Sequence, residues 1–229
     1  MTRRTNARVA GYTFLLYIAA GITTLVLSGK ATAGTGVAAR LASIAEHPTQ
    51  MGLVVILTLF TSFCAVTLGV TLYALTRDQD QDVAMIAMAC RVMEGIAAGV
   101  STTLGLRWLA NAAATNAVEP QTTQVLGTYL LMPEGSTGAI FFAVGSTLFC
   151  WLFLRGRMIP GALAWLGVVG SAFLVVVLPL QLAGLLGGGG SWFGWLTWVQ
   201  WLPMLVFEVW LALLLIIKGV AMPAAAKPG

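Results

Sequence analysis

Residues 160–186 read PGALAWLGVVGSAFLVVVLPLQLAGLL and contain no charged side chain. About 20 apolar residues are enough for a helix to cross the hydrocarbon core of a bilayer, so this run is long enough to span. An uncharged run of this length is typical of a transmembrane helix rather than of a helix buried in a soluble protein. We therefore predict a span over 160–186, with Pro160 suited to its first turn.

The rest of the chain is similarly rich in apolar residues and poor in charged ones. Of the 229 residues, 59% are hydrophobic and only 9% are charged, whereas soluble domains average about 25% charged residues. The predicted fold class is therefore all-α: a polytopic transmembrane helix bundle of about six spans, in a single domain over residues 1–229. The predicted spans are 10–28, 51–76, 83–108, 137–154, 160–186 and 192–217.

Two shorter apolar segments lie between the spans. A stripe at Val37, Leu41 and Ile44 predicts a short amphipathic helix on the membrane surface that ends at His47-Pro48. Residues 125–132 are too few to span and are predicted to lie at the interface. The helix that starts at Val83 is predicted to continue to about Asn116, because its apolar pattern is longer than a helix needs to cross the bilayer.

The basic residues sit at the ends of the predicted spans and orient the chain. With the N-terminus inside, eight basic residues face the cytoplasm and three, Lys30, Arg40 and Arg107, face outward, while Arg91 lies within a span. This positive-inside bias predicts a multi-pass inner-membrane protein with both termini in the cytoplasm. The net charge of +4 is spread over helix ends, so membrane lipids rather than nucleic acid are the expected partners.

The sequence predicts no cofactor and no metal site. Cys64, Cys90 and Cys150 lie within apolar runs and form no close pair with one another or with His47. Such cysteines are typical of small buried hydrophobic residues. A phosphate-binding loop of the glycine-rich Lys-Ser/Thr kind is also missing from the sequence.

Three ionisable residues fall deep inside predicted spans: Arg91, Glu94 and Glu208. At about 1.5 Å per residue, Glu94 lies about 18 Å in from Asp82, and Glu208 about 15 Å in from Lys218 on the same side. Both carboxyl groups are therefore near the middle of a core about 30 Å thick. Arg91 and Glu94 are three residues apart, so they share a helix face.

Charges at this depth are costly and must find partners inside the bundle. Arg91 can neutralise one carboxylate, and the other acid is expected to hold a proton. One interpretation makes Arg91 the charge partner of a structural clamp between helices 83–108 and 192–217. The other makes Glu94 and Glu208 candidate proton donors for catalysis or proton coupling.

Further residues near these positions are candidates for lining a pocket. Ser101 and Thr102 continue the helix face of Glu94, and Trp198 and Trp201 precede Glu208 on the last helix. Small and hydroxyl residues also serve close helix packing and bonding to the preceding turn. If a pocket exists, we expect these four residues to contact an apolar or cationic ligand.

Seven short sequence pieces, spread in order over most of the chain, carry a resemblance to known proteins. They are Arg8-Val-Ala-Gly-Tyr12, His47-Pro48, Leu72-Tyr-Ala-Leu75, Arg91-Val-Met-Glu94, Arg155-Gly-Arg-Met-Ile-Pro160, Glu208 with Trp210, and Lys218-Gly219. In this order the pieces resemble a known family, the bacterial membrane proteins grouped as domain of unknown function 4386. The resemblance implies a membrane bundle in which Arg91, Glu94 and Glu208 belong to a shared pattern. The family has no agreed activity.

Three functions follow as hypotheses. The first is binding of a small lipophilic molecule at the buried polar residues. The second is an enzyme in which Glu94 or Glu208 protonates an isoprenoid-like substrate; small integral-membrane terpene cyclases are similar in architecture, with no shared motif. The third is a structural or accessory membrane subunit. The sequence leaves the ligand, any reaction and the oligomeric state open.

Overall fold

The structure is a computed structural model that describes residues 1–97, 100–131, 137–186 and 199–221, without the side chains of residues 100 and 101. Within these ranges every regular element is an α-helix. The helices are α1 (Arg3–Ala31), α2 (Val37–Glu46), α3 (Pro48–Thr76), α4 (Gln81–Ala97), α5 (Val100–Ala114), α6 (Pro120–Leu130), α7 (Thr137–Arg155), α8 (Gly161–Leu182) and α9 (Leu202–Ile217).

The apolar helices match the predicted spans. Those long and apolar enough to cross a membrane are α1, α3, the stretch Gln81–Ala114 that holds α4 and α5, α7 and α8. The last helix, α9, is apolar but shorter, at 16 residues. This confirms the predicted fold class, an all-α transmembrane bundle. The predicted start of the last span at residue 192 lies outside the described residues.

Several helix ends differ from the predicted ones. Helix α1 begins at Arg3 instead of residue 10, because arginine is a good helix former and the helix extends beyond its apolar part. Helix α8 ends at Leu182 instead of 186. Gly184 takes a left-handed φ of 71°, and the Leu185 N–H donates to the Leu180 carbonyl at 2.9 Å. A glycine in this conformation ends a helix whatever the apolar pattern beyond it.

The contacts divide the chain into two compact units, and the predicted single domain stays a prediction. One unit comprises Ala19–Thr61 and Ala98–Glu134. In it α2, α5 and α6 pack on one another. The amphipathic helix predicted around Leu41 is confirmed, with Leu41 and Ile44 buried against Leu109.

The other unit comprises Met1–Ile18, Ser62–Ala97 and Gly135–Gly229. Here α4 packs on α7, α7 on α8, and α8 on α9. Glycines bring neighbouring helices close to Arg91 of α4. A Cβ at Gly69 of α3 would lie 3.0 Å from the Arg91 Cβ, and one at Gly145 of α7 would lie 3.5 Å from its Cδ. The arginine is therefore enclosed by helix backbones that a larger side chain would hold apart.

Candidate functional site

Arg91 and Glu94 form a buried ion pair within α4. The Arg91 Nη1 lies 2.8 Å from the Glu94 Oε2, and the two residues are only 1% and 6% exposed. This is the shared helix face that their three-residue spacing predicts. A deeply buried arginine thus finds its carboxylate on its own helix.

Tyr17 of α1 supplies the second contact to Glu94. Its hydroxyl donates a hydrogen bond of 2.7 Å to the Glu94 Oε1. One carboxylate oxygen is therefore at ion-pair distance from a cation, and the other accepts a hydrogen bond from a hydroxyl. Hydrogen bonds to an ionised carboxylate are among the stronger ones in proteins.

Aromatic rings enclose the Arg91 guanidinium. Its Cζ lies 5.5 Å from the centre of the Tyr17 ring and 5.0 Å from that of Phe142 on α7. Rings at this distance attract a cation through their negative faces. Trp201 packs on Phe142 with 5.8 Å between ring centres, so this predicted residue lies one ring away from Arg91.

Glu208 lies on the buried face of α9 and is 6% exposed. Among the residues that the structure describes, its side chain forms no ion pair or hydrogen bond. Arg91 is therefore the charge partner of Glu94, and a clamp between the third and last predicted spans stays a prediction. The nearer acid on its own helix, Glu94, takes the ion pair, and within the described ranges no salt bridge links α4 to α9.

Arg91 and Glu208 nevertheless line the same small cavity, here called the Glu208 cavity. Its volume is about 10 Å³, which is room for about one water molecule. Arg91 carries two buried donors, Nε and Nη2, that have no hydrogen-bond partner among the described residues. Such donors are costly unless they are satisfied. The other lining residues are Phe14, Leu72, Ser146, Phe149, Cys150, Phe153, Phe207 and Leu211.

The other predicted pocket residues, Ser101, Thr102 and Trp198, stay predictions. Thr102 is exposed on α5, whose buried face carries Leu106 and Leu109. The side chain of Ser101 and the whole of Trp198 lie outside the described residues.

Several residues of the site were not predicted from the sequence. Tyr17, Phe142, Ser146 and Cys150 come from α1 and α7, and no spacing rule relates these helices to α4. The one usable signal was the hydroxyl of Tyr17 in the middle of an apolar span. No three His, Cys, Asp or Glu side chains cluster as metal ligands in the part of the chain that the structure describes.

Comparison of the sequence with known proteins identifies a family for this chain. A family model described as "Domain of unknown function (DUF4386)" matches residues 9–219. Neither the curated proteins nor the solved structures contain a match. The family match covers Arg91, Glu94 and Glu208 and agrees with the resemblance seen in the sequence. The chain therefore belongs to the family of domain of unknown function 4386.

Proposed function

We propose that this protein takes up and releases a proton at Glu208 inside the membrane, and that its activity depends on this exchange. The observation that carries the proposal is that the two buried carboxyl groups differ in their polar partners. Glu94 is held by Arg91 and Tyr17, while Glu208 has no ion pair or hydrogen bond within the described ranges. Glu94 is suited to remain charged, and Glu208 is suited to hold a proton.

The charge balance supports this division. Arg91 is the one cation of the buried group, and Glu94 neutralises it at 2.8 Å. A second ionised carboxylate would leave a net negative charge at a depth where one charge costs at least about 2.5–3.5 kcal/mol. Protonation of Glu208 avoids that cost and leaves the group neutral.

The Glu208 cavity supports exchange rather than permanent burial of the proton. It places Glu208 beside Arg91 and Ser146 in a space of about 10 Å³. One water molecule there would share the cavity with the polar side chains of Arg91, Ser146 and Glu208. A carboxylic acid beside a water molecule has a partner that can accept its proton and return it.

The two ligand-based hypotheses rank behind this proposal. Pockets for small molecules usually have volumes of about 300–1,000 Å³, far above the volume beside Glu208. A lipophilic ligand or an isoprenoid-like substrate would need α4, α7 and α9 to separate there. Glu208 would remain the acid in either case. The structural-subunit hypothesis predicts instead that the proton on Glu208 never exchanges.

A lipid-soluble carbodiimide tests the proposal, because carbodiimides react with protonated carboxylic acids and not with carboxylates. At neutral pH we expect mass spectrometry to find the label on Glu208 and not on Glu94, which serves as the control within the same molecule. Labelling of Glu94 in preference to Glu208 would contradict the proposal, and equal resistance of both carboxyl groups would count against exchange.

A further inference from the structure

We propose that an anionic phospholipid binds where α1 meets the end of α9, with its phosphate on Arg4 and Arg8 and an acyl chain along α9. This inference is independent of the proton exchange at Glu208. It rests on three features of the unit that comprises Met1–Ile18, Ser62–Ala97 and Gly135–Gly229: unpaired cations, a close helix contact and an open apolar groove.

Two acids of the turn between α3 and α4, Asp78 and Asp80, are already paired with other arginines. Arg3 lies 3.3 Å from Asp78 and also donates to the Leu75 carbonyl at 3.0 Å. Arg155 lies 3.2 Å from Asp80. The acids of the turn between α3 and α4 are therefore engaged by cations other than those of the proposed site.

Arg4 and Arg8 are exposed and one turn apart on α1. In the described part of the chain neither forms an ion pair or hydrogen bond. Lys218, directly after α9, is exposed as well. We call Arg4, Arg8 and Lys218 the basic corner. Three cations without an acid partner favour a negatively charged ligand.

A close helix contact joins the two parts of the basic corner. A Cβ at Gly11 would lie 2.7 Å from the Ala212 carbonyl oxygen and from the Ile216 Cγ1, so only glycine permits this approach. Arg8 is one turn before Gly11, and Lys218 follows Ile216 by two residues. The contact therefore brings the first turns of α1 beside the last turn of α9.

An open apolar groove leads along α9 toward this corner. The groove has a volume of about 470 Å³ and is lined by Leu205, Val206, Val209, Trp210 and Leu213. Leu213 is one turn before Ile217, itself 71% exposed. On α1 the exposed Tyr12 and Leu16 follow Arg8 at intervals of four residues, so they share its helix face.

A basic corner at one end of an apolar groove fits a phospholipid better than a free phosphate ion. The headgroup level of a bilayer is where the ends of spanning helices lie, and basic residues there attract anionic lipids. A free ion would make no use of the apolar groove, whereas an acyl chain can contact its apolar side chains along α9. The chemistry thus points to a lipid with a negative headgroup.

Native mass spectrometry of the full protein tests this with phosphatidylglycerol and phosphatidylcholine of identical acyl chains. Phosphatidylglycerol should bind more tightly. Each cation near an anionic headgroup is expected to contribute about fivefold, so Arg4→Gln with Arg8→Gln should weaken phosphatidylglycerol binding by about 25-fold. Binding of phosphatidylcholine should not change.

The matched control is Lys30→Gln with Arg107→Gln, which removes the same charge from exposed positions of the other unit and should leave phosphatidylglycerol binding intact. Arg4→Lys with Arg8→Lys should retain the preference, which separates charge from any effect on folding. Val209→Trp fills the groove and should weaken both lipids. Equal binding of the two lipids by wild type, equal losses in the two double variants, or displacement of lipid by inorganic phosphate alone would overturn the proposal.

Discussion

The Tyr17 hydroxyl lies 2.7 Å from the Glu94 Oε1 and joins α1 to α4. In the proposed account, this bond favours the carboxylate form of Glu94 over that of Glu208. Because the Arg91 Nη1 holds the other oxygen of Glu94, the arginine and the tyrosine act on one carboxylate, and Glu208 is left without either.

Removal of the Tyr17 hydroxyl should destabilise the protein. Tyr17→Phe keeps the ring that faces Arg91 and deletes only the donor to Glu94. We expect a loss of about 0.5–2 kcal/mol in the free energy of unfolding, the range for hydrogen bonds within membranes and to charged groups. Tyr12→Phe is the control, since Tyr12 is 57% exposed and should tolerate the change. Thermal unfolding in detergent measures both, and equal stability of the two variants would show that the bond contributes nothing.

The pairing of Arg91 can be tested by double-mutant cycles. Arg91→Leu alone leaves the Glu94 carboxylate buried without its cation and should cost about 3–5 kcal/mol. Adding Glu94→Gln should recover part of that loss, because the unpaired charge is then removed. The cycle of Arg91→Leu with Glu208→Gln should show weaker coupling. A stronger coupling to Glu208 than to Glu94 would contradict the assignment of the ion pair.

Close packing against α4 predicts that Gly145 tolerates no larger residue. A Cβ there would lie 3.0 Å from the Cys90 Cβ and 3.2 Å from the Ala87 carbonyl oxygen. Overpacking of this kind costs about 1–3 kcal/mol, so Gly145→Ala should lower the unfolding temperature. Gly161→Ala on α8 meets no atom within 4 Å and should be neutral or slightly stabilising. Similar behaviour of the two variants would show that α7 can move away from Arg91.

The sequence predicts one part of the site well, for a physical reason. Arg91 and Glu94 lie on one helix, where a spacing of three residues fixes their proximity. Tyr17 and Phe142 reach Arg91 only through the packing of α1 and α7 against α4, which no local pattern encodes.

For the helices, too, the sequence predicts one property better than another: their existence is easier to predict than their ends. Uncharged apolar runs predict the existence of α7 and α8, because the bilayer requires such runs. Their ends depend on local backbone features instead. The four residues from Ala183 to Leu186 are as apolar as those before them, yet α8 ends at Leu182 because Gly184 turns the chain.

The orientation of the chain stays a prediction from its basic residues. With the N-terminus inside, an alkaline phosphatase fused after Asn116 should be active, because it would be exported. The same reporter fused after Asp80 should be inactive. The reverse pattern of activities would place the N-terminus outside.

The central claim is that Glu208, and not Glu94, carries a proton at neutral pH, and infrared spectroscopy measures this most directly. Wild-type protein at pH 7 should show the C=O band of a protonated carboxylic acid. Glu208→Gln should remove that band, and Glu94→Gln should leave it in place, because Arg91 and Tyr17 contact the two oxygens of Glu94 and favour its carboxylate form. A wild-type spectrum without the band, or a band that survives Glu208→Gln, would contradict the account.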